Sequence, residues 1–240
     1  MRTFETVFFD MGSTLLDFHQ GRSDAEKDAL GLERMASWLR DRQVSVDGEG
    51  LREGFFRPWS AVFALRQSTL SEYSVDPYLA ACLGPLGWLP NRGDCIDLMG
   101  EFHHAYGEDL AVADGAAETL KVLRARGYAI GVISNCYLYD EVMVDHFRRA
   151  GLDSLIDAYT FSYSLGPRKP RSEIFEHALE QLDARAETSL MIGDRLDSDV
   201  AGAQRAGMRA AWFNPGGAFP TATVVPDFTV ARMAELLDRL

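Results

Sequence analysis

The chain has few cysteines for its 240 residues, and their arrangement excludes two common uses of this residue. Cys82, Cys95 and Cys136 are odd in number, lie far apart and form no CxxC pair. Neither a disulfide framework nor a cysteine-ligated zinc site is therefore expected. Free thiols are typical of a reducing compartment, so we expect a cytoplasmic protein.

Long apolar runs are also missing. No apolar stretch reaches the roughly 20 residues that a membrane-spanning helix needs. The N-terminus MRTFETVFFD lacks the charged, apolar and small-residue sections of a signal peptide. These absences predict a soluble intracellular protein that has no membrane partner.

Positive charge is scarce, and lysine is the scarcest part of it. The 24 basic residues face 36 acidic ones, which gives a net charge of -12. This excess opposes the approach of nucleic acid or an anionic membrane surface, so neither is expected as a partner. There are 21 arginines but only three lysines, Lys27, Lys121 and Lys169, so each lysine is a residue to examine.

Apolar runs of strand length are present and recur along the chain. They are TVFF (6–9), AIGVI (129–133), AYTFS (158–162), LMI (190–192) and AAWF (210–213). Each is short and nearly all apolar, as in strands that are covered on both faces. Segments with helical spacing lie between them at 116–127, 139–151, 172–182 and 199–207. This alternation predicts an α/β fold in which helices cover both faces of a parallel sheet.

Residues 18–107 interrupt the alternation with patterns that are almost entirely helical. We expect this segment to form an inserted helical domain, and residues 1–17 and 108–240 to form the sheet-containing core.

Polar side chains follow four of the predicted strands. Ligands bind beyond the carboxyl ends of strands in an open parallel sheet, so these side chains are candidates for a shared site. The candidates are Asp10, Ser134, Asn135, Lys169, Asp194 and Asp199. Taken singly, each has a structural explanation, such as a turn cap for Asp10 or a helix N-cap for Asp199.

The three carboxylates are harder to explain as structural groups when they are taken together. Asp10, Asp194 and Asp199 would repel one another at one sheet edge unless a cation and Lys169 neutralise them. Carboxylate oxygens without nearby nitrogen or sulfur ligands suit Mg²⁺. A metal ion, a lysine and a hydroxyl donor are what a transferring phosphoryl group requires.

The chain resembles the haloacid dehalogenase superfamily, in its branch with an α-helical cap inserted after the first strand. The motifs FFDMGSTL, GVISN, RKPRSEIF and MIGDRLDSDVAGAQRAG occur in family order, and WFNPGG and PDFTVARMAELLDRL are similar to the family's C-terminal end. The resemblance covers the whole chain. It implies a Rossmann-like parallel sheet core at 1–17 and 108–240, with the cap domain at 18–107.

The resemblance also implies roles for individual residues. Asp10 would be the nucleophile that forms an aspartyl-phosphate, while Ser134 and Lys169 would bind phosphate and neutralise charge. Thr14 and Asn135 would help to bind substrate. The implied Mg²⁺ ligands are Asp10, Asp194, Asp199 and the backbone carbonyl of Gly12. We therefore expect a Mg²⁺-dependent phosphatase-like hydrolase of a small phosphorylated metabolite.

Gly12 departs from the family pattern. Phosphatases of the family usually carry there a second aspartate, which serves as general acid and base, and they usually have glycine or asparagine in place of Ser13. Water, Asp17 or a cap residue could protonate the leaving group instead. A glycine at position 12 could also be needed for positive φ or for close approach of the cap.

Two other functions stay open on the same residues. Relatives that cleave carbon–halogen or carbon–phosphorus bonds also lack that aspartate, and the latter use a cap lysine as a Schiff base. Lys27 is the cap lysine here, but SDAEKDALGLE predicts an exposed, structural position for it. The third alternative is a phosphate-binding module with little turnover.

The cap has no motif that names a substrate. His103 and His104 are adjacent, so on a helix they point about 100° apart and are poorly placed to share a metal. Four aromatic residues at near-helical spacing predict a cap core, from which one of them could face the site: Phe55, Phe56, Trp59 and Phe63. Arg57 and Arg66 could reach an anionic substrate, but solvated surface arginines are the commoner case.

Overall fold

Five strands at the predicted runs and a sixth at Phe228–Val230 form a six-stranded parallel sheet in the computed structural model, which describes residues 3–217 and 223–240. In chain order the strands of the protein are β1 (Thr6–Phe9), β2 (Leu16–Asp17), β3 (Ala111–Val112), β4 (Ala129–Ser134), β5 (Ala158–Phe161), β6 (Ser189–Gly193), β7 (Arg209–Phe213) and β8 (Phe228–Val230). The sheet order is β5-β4-β1-β6-β7-β8, while β2 and β3 pair antiparallel as a separate ribbon. The predicted α/β fold with a Rossmann-like parallel sheet is confirmed.

Eleven α-helices surround the sheet or form the insert in the described residues. They are α1 (Asp24–Arg40), α2 (Gly48–Leu51), α3 (Arg57–Ser60), α4 (Phe63–Thr69), α5 (Asp76–Leu83), α6 (Arg92–Gly107), α7 (Ala116–Ala125), α8 (Asp140–Arg149), α9 (Ser162–Leu165), α10 (Ser172–Gln181) and α11 (Ala201–Arg205). Two π-helical turns span Arg52–Phe56 and Leu196–Val200, and 3₁₀ turns span Gly84–Leu86, Asp153–Leu155, Ala186–Thr188 and Met233–Asp238.

Strand β1 lies at the centre of the sheet and is buried on both faces. Val7 and Phe9 pack into the larger apolar core, whereas Phe8 points the other way and packs into a second core with Phe175. Full burial of one such side chain contributes roughly 1.5 to 3 kcal/mol. The unbroken apolar run therefore reflects a strand with no solvent face, and the chain reaches polar residues only where β1 ends.

The helical insert occupies the segment between β2 and β3. Helix α1 begins at a capping box of Ser23 and Glu26, and it packs along α6. Gly31 permits this contact, because a Cβ there would collide with the backbone of Phe102 on α6. The inserted helical cap is thus confirmed. Its boundaries at 18 and 107 remain a prediction, and residues 1, 2 and 218–222 of the predicted core lie outside the described residues.

A second connection joins the cap to the core near the predicted site. Arg168 donates its backbone N–H to the Leu70 carbonyl at 3.0 Å, and Glu72 donates its own to the Gly166 carbonyl at 2.8 Å. The cap segment 70–72 therefore lies against the loop that leads to Lys169.

The predicted helices differ in detail from those observed. The segment 199–207 begins within the π-turn Leu196–Val200 before α11, and the Asp199 carboxylate there accepts a hydrogen bond from the Arg195 backbone N–H. Asp199 consequently lies inside the helical segment and does not cap it. Within residues 3–217 and 223–240, no helix is both long enough and apolar enough to cross a membrane.

Candidate active site

Three adjacent strands bring the predicted residues together. Asp10 follows β1, Ser134 ends β4, and Asp194 follows β6, while the sheet order places β1 between the other two. Because all three strands run parallel, their carboxyl ends meet at one edge. The convergence predicted from the sequence is therefore present in the fold.

Asp10 is oriented by two donors on one of its oxygens. Its Oδ1 accepts hydrogen bonds from Lys169 Nζ at 2.6 Å and from Ser134 Oγ at 2.9 Å. The residue as a whole is only 7% exposed. A carboxylate held in this way keeps one orientation, which is a requirement for a nucleophile.

Lys169 has a contact for each of its three ammonium protons. Besides Asp10, Nζ donates to Asp199 Oδ1 at 2.8 Å and to the Ile133 carbonyl at 2.8 Å. Burial by itself would lower the pKa of Lys169, but the two carboxylates outweigh it and hold the pKa above the usual lysine range. Lys169 is therefore a permanent positive charge and not a proton donor.

Asn135 holds Lys169 in place through the backbone. Its Oδ1 accepts from the Lys169 N–H at 2.7 Å, and its Nδ2 donates to the Lys169 carbonyl at 3.1 Å. Both polar atoms of the amide are thus engaged in positioning the loop. The substrate-binding role of Asn135 remains a prediction.

Three carboxylates form an acidic cluster beside the lysine. Oxygen atoms of Asp10, Asp194 and Asp199 lie within 4.8 Å of one another. Gly193 makes this possible, since a Cβ at that position would collide with the Asp199 carboxylate. Burial, then repulsion from Asp10 and Asp199, raises the pKa of Asp194 to about 7. One lysine cannot balance three carboxylates, so this oxygen-only donor set fits a hard divalent cation.

The turn after Asp10 resolves the geometric question about Gly12. The residue with a left-handed backbone is Ser13, at φ 58°, and not Gly12. A Cβ built on Gly12 meets no atom within 4 Å. Neither positive φ nor close packing therefore requires a glycine at position 12. Thr14 is fully buried and absent from the wall of the neighbouring cavity, so its role in substrate binding remains a prediction.

A cavity of about 580 Å³ lies between this edge and the cap. Asp10, Ser134, Lys169, Asp194 and Asp199 line its floor. Five lining residues whose rings contact one another form what we call the aromatic wall: Phe56, Trp59, Phe63, Phe102 and Tyr137. Phe18 and Tyr106 also line the cavity. The four cap aromatics were interpreted as cap core from which one could face the site, and three of them line the cavity. Tyr137 was missed, although its position two residues after Asn135 places it in the same strand-end loop.

Lys27 corrects one expectation from the sequence. It is fully buried and not exposed, and its Nζ donates to the carbonyls of Phe18 at 2.6 Å and Gln20 at 2.7 Å. These carbonyls belong to the segment that enters the cap. Lys27 is also absent from the cavity wall, so its position supports the structural role and not that of a Schiff base.

His103 and His104 diverge as expected from adjacent helical positions. His103 is buried, with its Nδ1 2.6 Å from His146 Nε2 on α8, whereas His104 Nε2 lies 2.8 Å from the Arg149 guanidinium. The buried pair joins the cap to the core.

Comparison with known proteins identifies the family. A family model described as haloacid dehalogenase-like hydrolase matches residues 4–207. The chain belongs to this family. It is accordingly a hydrolase, as the resemblance implied.

Relatives in this family carry phosphatase names. A glyceraldehyde 3-phosphate phosphatase of Pyrococcus furiosus is 27% identical over 222 residues, which are 90% of this chain and 83% of that protein. A ribulose-1,5-bisphosphate 5-phosphatase of Halopiger xanaduensis is 33% identical over 126 residues, or 52% of each chain. The chain thus spans about half the length of the second relative.

Solved structures agree on the fold. A 2-haloacid dehalogenase from Pseudomonas syringae aligns with a TM-score of 0.66 at 25% identity, covering 98% of this chain and 97% of that one. The magnesium-bound HAD-hydrolase YfnB from Bacillus subtilis aligns with a TM-score of 0.62 at 22% identity, covering 100% of this chain and 99% of that one. Both likenesses extend across the core and the cap.

Proposed function

We propose that the chain is a Mg²⁺-dependent phosphatase of a small phosphorylated metabolite and that Asp10 is its nucleophile. The observation that carries this proposal is the pair of hydrogen bonds from Lys169 and Ser134 to a single oxygen of Asp10. That arrangement leaves Asp10 Oδ2 to attack phosphorus. Catalysis of phosphoryl transfer depends mainly on such positioning and on charge neutralisation.

The reaction proceeds in two displacements. In the first, Asp10 forms a bond to phosphorus, and the bond to the leaving oxygen breaks with its electron pair. In the second, water attacks the aspartyl-phosphate, which releases inorganic phosphate and restores the carboxylate. Lys169 stabilises negative charge in both steps because it stays protonated.

The acidic cluster is the proposed metal site. Asp10, Asp194, Asp199 and the Gly12 carbonyl would hold Mg²⁺, which neutralises negative charge on the phosphoryl oxygens when bound. The support for this ligand set is the excess of carboxylates over the single lysine.

Asp17 is poorly placed to replace the acid missing at Gly12. Its carboxylate accepts hydrogen bonds from the Gln20 side chain and the His19 backbone, which lower its pKa. It also lies outside the wall of the cavity. We therefore expect the leaving oxygen to depart without a proton from Asp17.

A carbon–halogen hydrolase is the second candidate, favoured by Gly12 and by the likeness to the Pseudomonas syringae dehalogenase. The acidic cluster argues against it, because the dehalogenases of the family do not need Mg²⁺. Phosphonate hydrolysis has less support, since Lys27 does not line the cavity.

One panel separates these functions. Phosphate release from phosphorylated metabolites is measured with Mg²⁺ and with a chelator, and halide release from 2-chloropropionate is measured in parallel. We expect Mg²⁺-dependent phosphate release that Asp10→Asn abolishes. Metal-independent halide release would overturn the proposal in favour of the dehalogenase, and phosphate binding without turnover would identify the binding module.

A further inference from the structure

Arg66 on α4 is a buried cation on the cap side of the cavity. It is 4% exposed and lines the same cavity as Asp10 and Lys169. Its guanidinium carbon lies 3.8 Å from the centre of the Phe63 ring and 5.3 Å from that of Tyr137. The guanidinium therefore packs against the aromatic wall.

The hydrogen-bonding capacity of Arg66 is not used within the described residues. Its Nε and Nη2 are buried and have no hydrogen-bond partner. The nearest carboxylate oxygen, Glu72 Oε2, is 3.8 Å from Nε, which is too far for a hydrogen bond. Glu72 Oε2 is likewise buried without a hydrogen-bond partner, but at this distance it does not satisfy Nε, and Nη2 has no acceptor either. Buried donors without partners are rare and costly, so Arg66 has capacity for a further acceptor.

The charges around Arg66 do not balance either. Glu72 is almost fully buried, and its Oε1 already accepts from Arg168 Nη1 and from Ser162 Oγ. Two guanidinium groups, of Arg66 and Arg168, thus share one carboxylate. Since arginine stays protonated in proteins, this group of two arginines and one glutamate carries one positive charge in excess.

This surplus lies next to the reaction edge. Arg168 immediately precedes Lys169 and also lines the cavity, while the backbone contacts of Leu70 and Glu72 with the same loop join the two sides. A ligand bound at Asp10 can therefore extend toward Arg66 within one cavity.

We infer that Arg66, supported by Arg168, binds a second anionic group at the far end of the substrate. The substrate class is a phosphomonoester whose body packs on the aromatic wall and whose other end carries a carboxylate or a second phosphate. This inference rests on the proposed phosphatase function. It makes Arg66 a specificity-determining residue and not part of the reacting centre.

The test compares ligands that differ in one charge. Binding is measured by calorimetry with 4-carboxybenzylphosphonate and with its neutral amide, 4-carbamoylbenzylphosphonate, and a 4-phosphono analogue distinguishes carboxylate from phosphate. The variants are Arg66→Met, Arg66→Lys and the matched control Arg57→Met. Arg57 serves as control because its side chain is 68% exposed and pairs with Glu53.

We expect the wild type to bind at least one anionic ligand about tenfold or more tightly than the amide, as charge-assisted hydrogen bonds require. Arg66→Met should remove that preference and leave binding of the amide unchanged. Arg66→Lys should retain part of it, and Arg57→Met should retain all of it.

Two results would overturn the inference. One is an equal affinity of the wild type for the anionic and neutral ligands. The other is an Arg66→Met variant that loses affinity for both equally, which would mean that Arg66 only stabilises the cap. Turnover of 4-carboxyphenyl phosphate tests the proposed function separately: discrimination in binding without turnover would reject the phosphatase but keep the anionic subsite.

Discussion

The two sides of the cavity differ in how completely their polar groups are paired. On the core side, Lys169 uses all three of its protons on fixed acceptors, and Asp10 is held by two donors. On the cap side, Arg66 and the Trp59 indole N–H are buried without hydrogen-bond partners. The difference indicates that the core side is preorganised for one reaction, whereas the unpaired donors on the cap side find their acceptors in the bound ligand.

The largest effect is expected from a substitution that removes the preorganised nucleophile. Asp10→Asn should lower the phosphatase kcat by about 10⁴-fold or more, because the amide cannot attack phosphorus. The fold should survive, since an amide oxygen can still accept the bond from Ser134. Phosphate release by purified protein with an unchanged Tm checks this. The control is Asp17→Asn, outside the cavity, and near-normal turnover by Asp10→Asn would refute the mechanism.

The second prediction tests whether the core side really lacks an acid. Wild-type kcat/KM should rise steeply as the leaving-group pKa falls across a series of phosphate monoesters. Gly12→Asp should raise kcat/KM for alkyl phosphates by about 10²-fold and change aryl phosphates little. The turn has room for the side chain and no positive φ at this position.

A shallow dependence in the wild type would mean that another cavity residue already donates the proton. Asp28 would then be the first to substitute, because burial raises the pKa of this carboxyl and it lines the cavity. Gly12→Ala is the matched control for filling the space without adding an acid.

The third prediction concerns the acidic cluster. Asp194→Asn should weaken Mg²⁺ binding by about tenfold or more. Mutation of a residue that only supports a metal ligand already weakens binding by about tenfold, and loss of a ligand should cost at least as much. Asp199→Asn should weaken it less, because Asp199 is already paired with Lys169. Calorimetric titration of the two variants checks the order, and equal affinities would contradict these assigned roles.

The smallest effect concerns the buried joint between cap and core. Burial, followed by mutual repulsion with the neighbouring His146, lowers the pKa of His103, and burial lowers that of His146 to about 4. Between pH 6.5 and about 4, these two histidines are therefore protonated in the unfolded chain but stay neutral in the folded protein. From His146 alone, the folded state should lose about 2 kcal/mol of stability between pH 7 and pH 5.

His146→Gln keeps a hydrogen-bonding side chain and removes one titrating group. Its unfolding free energy should fall less than that of the wild type between pH 7 and pH 5 in urea titrations. The control is His19→Gln, since the His19 side chain is exposed. Parallel pH curves for the wild type and His146→Gln would show that the pair does not control acid sensitivity.

The sequence predicted the core side of the cavity well for a physical reason. A strand that is buried on both faces ends where polar residues begin, and parallel strands end together, so Asp10, Ser134 and Asp194 could be placed without coordinates. The short strands β2, β3 and β8 were not predicted, because two or three residues carry no periodic signal.

The cap side was predicted poorly. Helical spacing identifies apolar faces, but it does not say which face packs on other helices and which faces a cavity. Trp59 and Phe55 are both large aromatic residues at helical spacing, and both are buried, yet only Trp59 lines the cavity. Lys27 and Arg66 look like surface charges in the sequence, and only the tertiary fold shows that both are buried.

The backbone contacts between the cap segment 70–72 and the Lys169 loop have a consequence for exchange of amide hydrogens with solvent. Any motion that separates these two segments must break the bonds donated by the N–H groups of Glu72 and Arg168. Deuterium uptake at these two amides therefore records how often the segments part, on a timescale of seconds to hours. A ligand that bridges Asp10 and Arg66 would slow that uptake. The exchange rates of these two backbone amides therefore measure how often the buried cavity becomes accessible.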